Sequence, residues 1–185
     1  MTAEELLGKA QLLFVDGKHR ESIGAFTEAL EAGANAYIVH LSRGVAYLNL
    51  KELDNAINDL HQAINANDKS ARAYYYRGMI FMAKEDFERA IADFTQSLEL
   101  KPDLHIVKFA RATAYARLRQ YDNAAADFKA VLPQMEVNLQ SFTDTYGIVR
   151  TAMWKVMAQM DGEATAPEWT ASEIEAIKRW LGDEQ

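Results

Sequence analysis

Apolar and polar positions along the first three-quarters of the chain recur with a period of 34 residues. Residues 3–36, 37–70 and 71–104 align without gaps, and a fourth copy begins at 105 and keeps register to about Leu132. Small residues hold three columns, with Val131 the one exception: Ala10, Gly44, Gly78 and Ala112; Ser22, Ala56, Ala90 and Ala124; and Ala29, Ala63, Ser97 and Val131. Large residues hold two more: Leu13, Tyr47, Phe81 and Tyr115; and Phe26, Leu60, Phe94 and Phe128. The pattern predicts two antiparallel helices per repeat. A small residue is needed where the pair crosses most closely, and large ones fill the holes beside the crossing. Overpacking such a crossing costs about 1–3 kcal/mol.

The clearest copy, Ala71 to Leu104, resembles the tetratricopeptide-repeat family, with Gly78, Phe81, Ala90, Phe94 and Pro102 at the expected spacings. The resemblance implies an all-α, right-handed superhelical solenoid of about four helix hairpins. Repeats 3–36, 37–70, 71–104 and 105–136 would form it. Asp16-Gly17 is expected to break the first pair, and Gly33, Asn65 to Asp68 and Lys101-Pro102-Asp103 to separate repeats. Pro133 is expected to end the second helix of the fourth repeat early.

Arg43, Arg77 and Arg111 share one column, and Asp59, Asp93 and Asp127 share another. Each Arg–Asp pair is expected to bridge the two helices of its own repeat, setting register at about 0–1 kcal/mol if exposed. An arginine row for an acidic ligand is the functional alternative. Repeat one has Lys9 and Ala25 and cannot make the pair.

Residues 137–185 leave the repeat. Leu139, Phe142, Tyr146, Val149, Met153, Val156 and Met160 run at alternating spacings of 3 and 4, one apolar seam on a long helix. Thr170-Ala171-Ser172-Glu173 reads as a capping box opening a short helix with Ile174, Ile177, Trp180 and Leu181 on one face. A solenoid's last repeat exposes an apolar flank, so this hairpin is expected to cap it. Docking of a partner or a second copy is the alternative use.

At 185 residues, with 49% hydrophobic and 25% charged, the chain can bury a core. The net charge of −7 falls largely on residues 161–185, where seven acids and two bases give −5. Nucleic acid, which needs a basic face, is not expected as a partner. The absence of cysteine excludes disulfides and thiol chemistry. No secretory leader is visible and no run of 18 apolar residues occurs, so a cytoplasmic protein with no membrane span is expected.

No catalytic motif is present: no GxSxG, P-loop, GxGxxG or HExxH. His19, His40, His61 and His105 fall in different repeats, none four residues from another. No catalytic residue, metal or cofactor is therefore expected.

The resemblance implies that the second, fifth, sixth and ninth repeat positions line a concave face. Those positions are Glu4, Leu7, Gly8 and Gln11; Ile38, Leu41, Ser42 and Val45; Arg72, Tyr75, Tyr76 and Met79; and Ile106, Phe109, Ala110 and Thr113. Family members that bind chaperone tails carry a carboxylate clamp of lysines, asparagines and arginine there. Here the clamp positions read Leu7, Gln11, Ser42, Arg72 and Tyr76, and one repeat later Leu41, Val45, Tyr76, Ile106 and Ala110. Only Arg72 keeps a charge, so no clamp is expected. The expected groove is apolar and aromatic, built from Ile38, Leu41, Val45, Arg72, Tyr75, Tyr76, Met79, Ile106 and Phe109. The expected function is a non-catalytic adaptor, scaffold or assembly factor holding a peptide or protein segment. The alternative is a structural protein that forms homo-oligomers through its C-terminal hairpin or solenoid ends.

Overall fold

The computed structural model describes residues 1–135, with side chains as far as Val131. The expected C-terminal hairpin of residues 137–185 lies outside the described residues. Those described form eight helices in chain order: α1 (Ala3–Val15), α2 (His19–Glu31), α3 (Ala36–Asn49), α4 (Leu53–Ala66), α5 (Ala71–Ala83), α6 (Phe87–Leu100), α7 (His105–Arg117) and α8 (Tyr121–Met135). Each odd helix pairs with the even helix that follows it, and each even helix packs on the next odd one. The result is an all-α solenoid of four hairpins.

Local chemistry sets the helix starts. Thr2 accepts from the Glu5 N–H while the Glu5 carboxylate accepts from the Thr2 N–H, a closed capping box. Asn35, Ser70 and Asp86 cap α3, α5 and α6 through side-chain oxygens. Within each hairpin the turn places one residue in the left-handed region: Gly17, Lys51, Glu85 and Arg119, with φ between 59° and 74°. The N–H after each returns to a carbonyl in the last turn of the odd helix, as Glu52 N–H does to Tyr47 O at 2.9 Å. Only the first hairpin uses the residue that tolerates this geometry without a Cβ penalty.

Two expected boundaries shift. α4 continues through Asn65 and Ala66, so that turn begins at Asn67. Pro133 does not end α8, which runs to Met135. Proline lacks one N–H donor, and near a helix end few carbonyls depend on that ladder, so the loss there is small.

All twelve small-column positions are buried, as the crossing argument requires. The core is a series of layers, each sharing side chains between neighbouring repeats. One layer joins Phe81, Ala90, Phe94 and Leu98 of the third repeat to Val107, Ala110 and Ala114 of the fourth. Another joins Ala56 and Leu60 of the second to Ile80 of the third. Nearest-neighbour burial of this kind is what makes a repeat array stack.

Candidate functional site

The odd helices also approach one another: α1 meets α3, α3 meets α5 and α5 meets α7. No pair of even helices approaches to that extent among the described residues. The solenoid therefore curls with the odd helices inside, and α1, α3, α5 and α7 line its concave face.

On that face Ile38, Leu41 and Val45 of α3 are half-buried, and so are Tyr75, Tyr76 and Met79 of α5. Arg72 is exposed, with no carboxylate at ion-pair distance among the described residues. The structure brings part of this set together. Leu41 and Tyr76 pack against one layer, beside Ala56, Leu60 and Ile80. Tyr75 and Met79 pack against the next, beside Phe81 and Phe94. The two layers join at the surface through Tyr75 and Tyr76, whose ring centroids are 5.1 Å apart. Tyr75 also lies 6.2 Å from the Phe94 ring, so its position is fixed from beneath.

The fourth repeat differs. Ile106 is open, at 37% exposure, whereas Phe109 is 3% exposed and belongs to the core. Its ring meets Phe128 edge-on with centroids 5.6 Å apart. The expected groove lining is replaced by core packing at that position. Ala125 lies beneath, where the earlier repeats carry Ile57 and Ile91, and leaves room for the ring to sink.

The arginine column is committed elsewhere. Arg43 Nε donates to Asp59 Oδ2 at 2.7 Å and Arg43 Nη2 to Asp59 Oδ1 at 2.8 Å. Arg77–Asp93 and Arg111–Asp127 repeat the geometry. The three pairs bridge α3–α4, α5–α6 and α7–α8, as the sequence predicts. They are not the exposed pairs that the 0–1 kcal/mol expectation assumed, because Asp59 is 2% exposed. Bidentate geometry in reduced solvent makes them stronger than surface pairs. Hydrogen bonding to Asp59 raises the Arg43 pKa above its ordinary value, and Asp127 does the same for Arg111. An arginine row open to an acidic ligand does not exist on these residues.

Sequence reading missed what surrounds the pairs. Arg43 Nη1 also donates to Thr27 at 2.8 Å, and Arg111 Nη1 to Thr95 at 3.1 Å, each threonine on the preceding repeat's even helix. The ladder thus ties repeats together as well as helices. The recurring Thr27 and Thr95, one repeat apart from a His61 between them, were the available signal. In repeat two, His40 Nδ1 lies 2.9 Å from Asp59 Oδ1, a contact that no spacing rule marks.

No cluster of three or more histidines or acids among the described residues could hold a metal ion. No described helix is long and apolar enough to cross a membrane.

Two family profiles, both described as tetratricopeptide repeat, match residues 7–64 and 71–104. The chain belongs to the tetratricopeptide-repeat (TPR) family. Its architecture is shared with solved TPR structures. The first TPR of Spaghetti (RPAP3), bound to the HSP90 peptide SRMEEVD, is 27% identical with a TM-score of 0.61, covering 64% of this chain and 94% of that one. MamA from Desulfovibrio magneticus RS-1 is 21% identical with a TM-score of 0.68, covering 74% and 77%. The Bos taurus BBSome complex member BBS4 is 34% identical over 65 residues. That match spans 35% of this TPR chain and only 12% of the bovine protein.

Proposed function

We propose that this TPR protein is a non-catalytic protein–protein interaction module that holds an apolar peptide or protein segment in its concave face. The observation that carries the reading is the half-buried row of Leu41, Val45, Tyr75, Tyr76 and Met79 on α3 and α5, with the exposed Arg72 beside it. Rigid aromatic side chains and an arginine are the residues that typically anchor interfaces. An amphipathic or extended segment would seat alternate apolar side chains along the row. An acidic group on that segment would meet Arg72.

The RPAP3 domain takes an HSP90 peptide rich in acids. This chain places Leu7, Gln11, Ser42 and Tyr76 where a carboxylate clamp would stand, so its groove favours apolar anchors over an acidic tail. A peptide-library selection on the full chain tests the reading. An apolar consensus with a single acidic residue is the expected yield, and a carboxylate-rich consensus would overturn it.

A second reading, self-association through a solenoid end, has its own observation. Leu12 on α1 is 68% exposed, while Ala46, Ile80 and Ala114, which hold the same repeat position, are fully buried by the preceding repeat. Val15 and Met1 are exposed on the same terminal hairpin. A sedimentation series across protein concentration separates this reading from the first.

A further inference from the structure

We propose that the concave face takes an extended segment carrying a long basic side chain and, about five or six residues away, an acidic one. The basic stem lies over Gly8 with its head at Glu4, and the acid meets Arg72. This rests on the peptide-binding reading and names the chemistry of its ligand.

The first observation is a glycine that the fold does not need. Gly17 and Gly33 stand at positive φ. A Cβ on Gly44 or Gly78 would meet the facing helix at 3.1 or 2.6 Å. Gly8 has neither reason, since a Cβ built on it finds nothing within 4 Å. It stands inside α1, where glycine weakens a helix relative to alanine. Tyr76 holds the same position two repeats on, so the position admits a large side chain. Gly24 is equally uncrowded, but it is exposed on α2, whereas Gly8 is half-buried on a helix of the concave face. An uncrowded glycine there lets a ligand approach the backbone closely.

The second observation is a pair of opposite charges with no partner in the fold. Arg72 lies in the first turn of α5, where the helix dipole disfavours a cation. Arg43, Arg77 and Arg111 each grip an aspartate with two hydrogen bonds, but Arg72 is exposed and makes no such contact among the described residues. Glu4 holds the same repeat position two repeats earlier and is likewise exposed. Neither has an opposite charge at ion-pair distance among the described residues. Complementary charges on a bound segment would fix its register between them.

The two observations meet on α1. Glu4 stands one turn before Gly8, on the same helix face. Leu7 beside it is half-buried, and so is Leu41 at the equivalent position of α3. A lysine or arginine covers apolar surface with its stem and keeps its head in water. Over Gly8 its stem would lie against the leucines and its head would reach Glu4. Helices in contact are about 8–10 Å apart, which sets α1 and α5 about 16–20 Å apart across α3. An extended chain advances about 3.3 Å per residue, so about five or six residues separate the basic side chain from the acid at Arg72.

The test is fluorescence anisotropy on the full chain. The probe is a fluorescein-labelled synthetic peptide with a lysine and a glutamate about five residues apart and leucine and alanine between them. Gly8→Leu should lower its affinity about tenfold at unchanged helicity, while Gly24→Leu binds as the unaltered chain does. Glu4→Gln should weaken the lysine peptide severalfold and leave a glutamine-for-lysine version unaffected. Arg72→Gln should discriminate in the same way at the peptide's glutamate. Unchanged affinity in Gly8→Leu, or equal weakening of both peptides by Glu4→Gln, would overturn the proposal. Failure of the unaltered chain to bind the probe would overturn it too, leaving the groove reading to its own peptide selection. Loss of binding in Val45→Glu but in none of these variants would remove this ligand chemistry and keep the groove. No loss in Val45→Glu either would remove both.

Discussion

A Cβ atom on Gly78 would lie 2.6 Å from Cε1 and 2.8 Å from Cδ1 of Phe94, a ring that is itself fully buried. The crossing of α5 and α6 is closed by the absence of that one carbon. Gly44 meets Leu60 less tightly, with its nearest contact at 3.1 Å.

Gly78→Ala should therefore destabilise the fold despite alanine's better helix propensity. Overpacking costs about 1–3 kcal/mol, which outweighs a propensity gain of about 1 kcal/mol. Gly8 and Gly24, also within helices, have nothing within 4 Å of a built Cβ. Gly8→Ala and Gly24→Ala should stabilise by about 0.5–1 kcal/mol each. Chemical denaturation of the variants checks both signs.

The left-handed turn residues give an opposite prediction. Lys51, Glu85 and Arg119 adopt φ near 60°, where Gly17 stands in the first hairpin. Glu85→Gly or Arg119→Gly should raise stability by about 0.5–1 kcal/mol, since the relieved αL strain exceeds the added unfolded-state entropy. Thermal unfolding of each variant, and of the pair, would show whether the gains add.

Asp59 is buried between Arg43 and His40. Asp59→Ala leaves the Arg43 guanidinium half-buried without its partner and should cost about 3 kcal/mol. Replacing both, Arg43→Met with Asp59→Leu, should recover much of that loss. A double-mutant cycle measures the coupling.

His61 stands where Thr27 and Thr95 stand in the neighbouring repeats. Although His61 is exposed, partial desolvation first, and the charge of Arg77 second, push its pKa below the ordinary imidazole value. The unfolded chain then binds the proton more readily than the folded one. Stability should fall as pH drops through the ordinary imidazole value and level off below the folded pKa. His61→Thr should flatten that slope, as read from denaturation midpoints between neutral and mildly acidic pH.

The hairpin fold was legible because the helix crossings demand small residues at fixed intervals, and Gly78 and Ala90 stand where that demand falls. The Arg43–Asp59 bridge was legible for the same reason, since the two columns recur together. Its burial was not, because spacing places a pair on facing helices without saying how much of the preceding repeat closes over it. The left-handed backbone at Lys51 and Glu85 was not legible, as nothing in a charged side chain announces it. Of the expected concave positions, Leu41, Tyr75 and Met79 are half-buried on α3 and α5. At Phe109 the groove position and the core position coincide, and the small Ala125, where Ile57 and Ile91 stand in the earlier repeats, lets the ring sink into the core.

The central claim is that α3 and α5 hold an apolar segment, and the affinity of one library-selected peptide for the full chain tests it most directly. Val45→Glu with Arg72→Glu alters the concave row, while Asn58→Glu on the exposed face of α4 serves as the comparison. At unchanged helicity, the concave variant should lose at least tenfold in affinity, about 1.4 kcal/mol, and the α4 variant should bind as the unaltered chain does. Equal affinity for all three proteins, or a loss only with Asn58→Glu, would contradict the account.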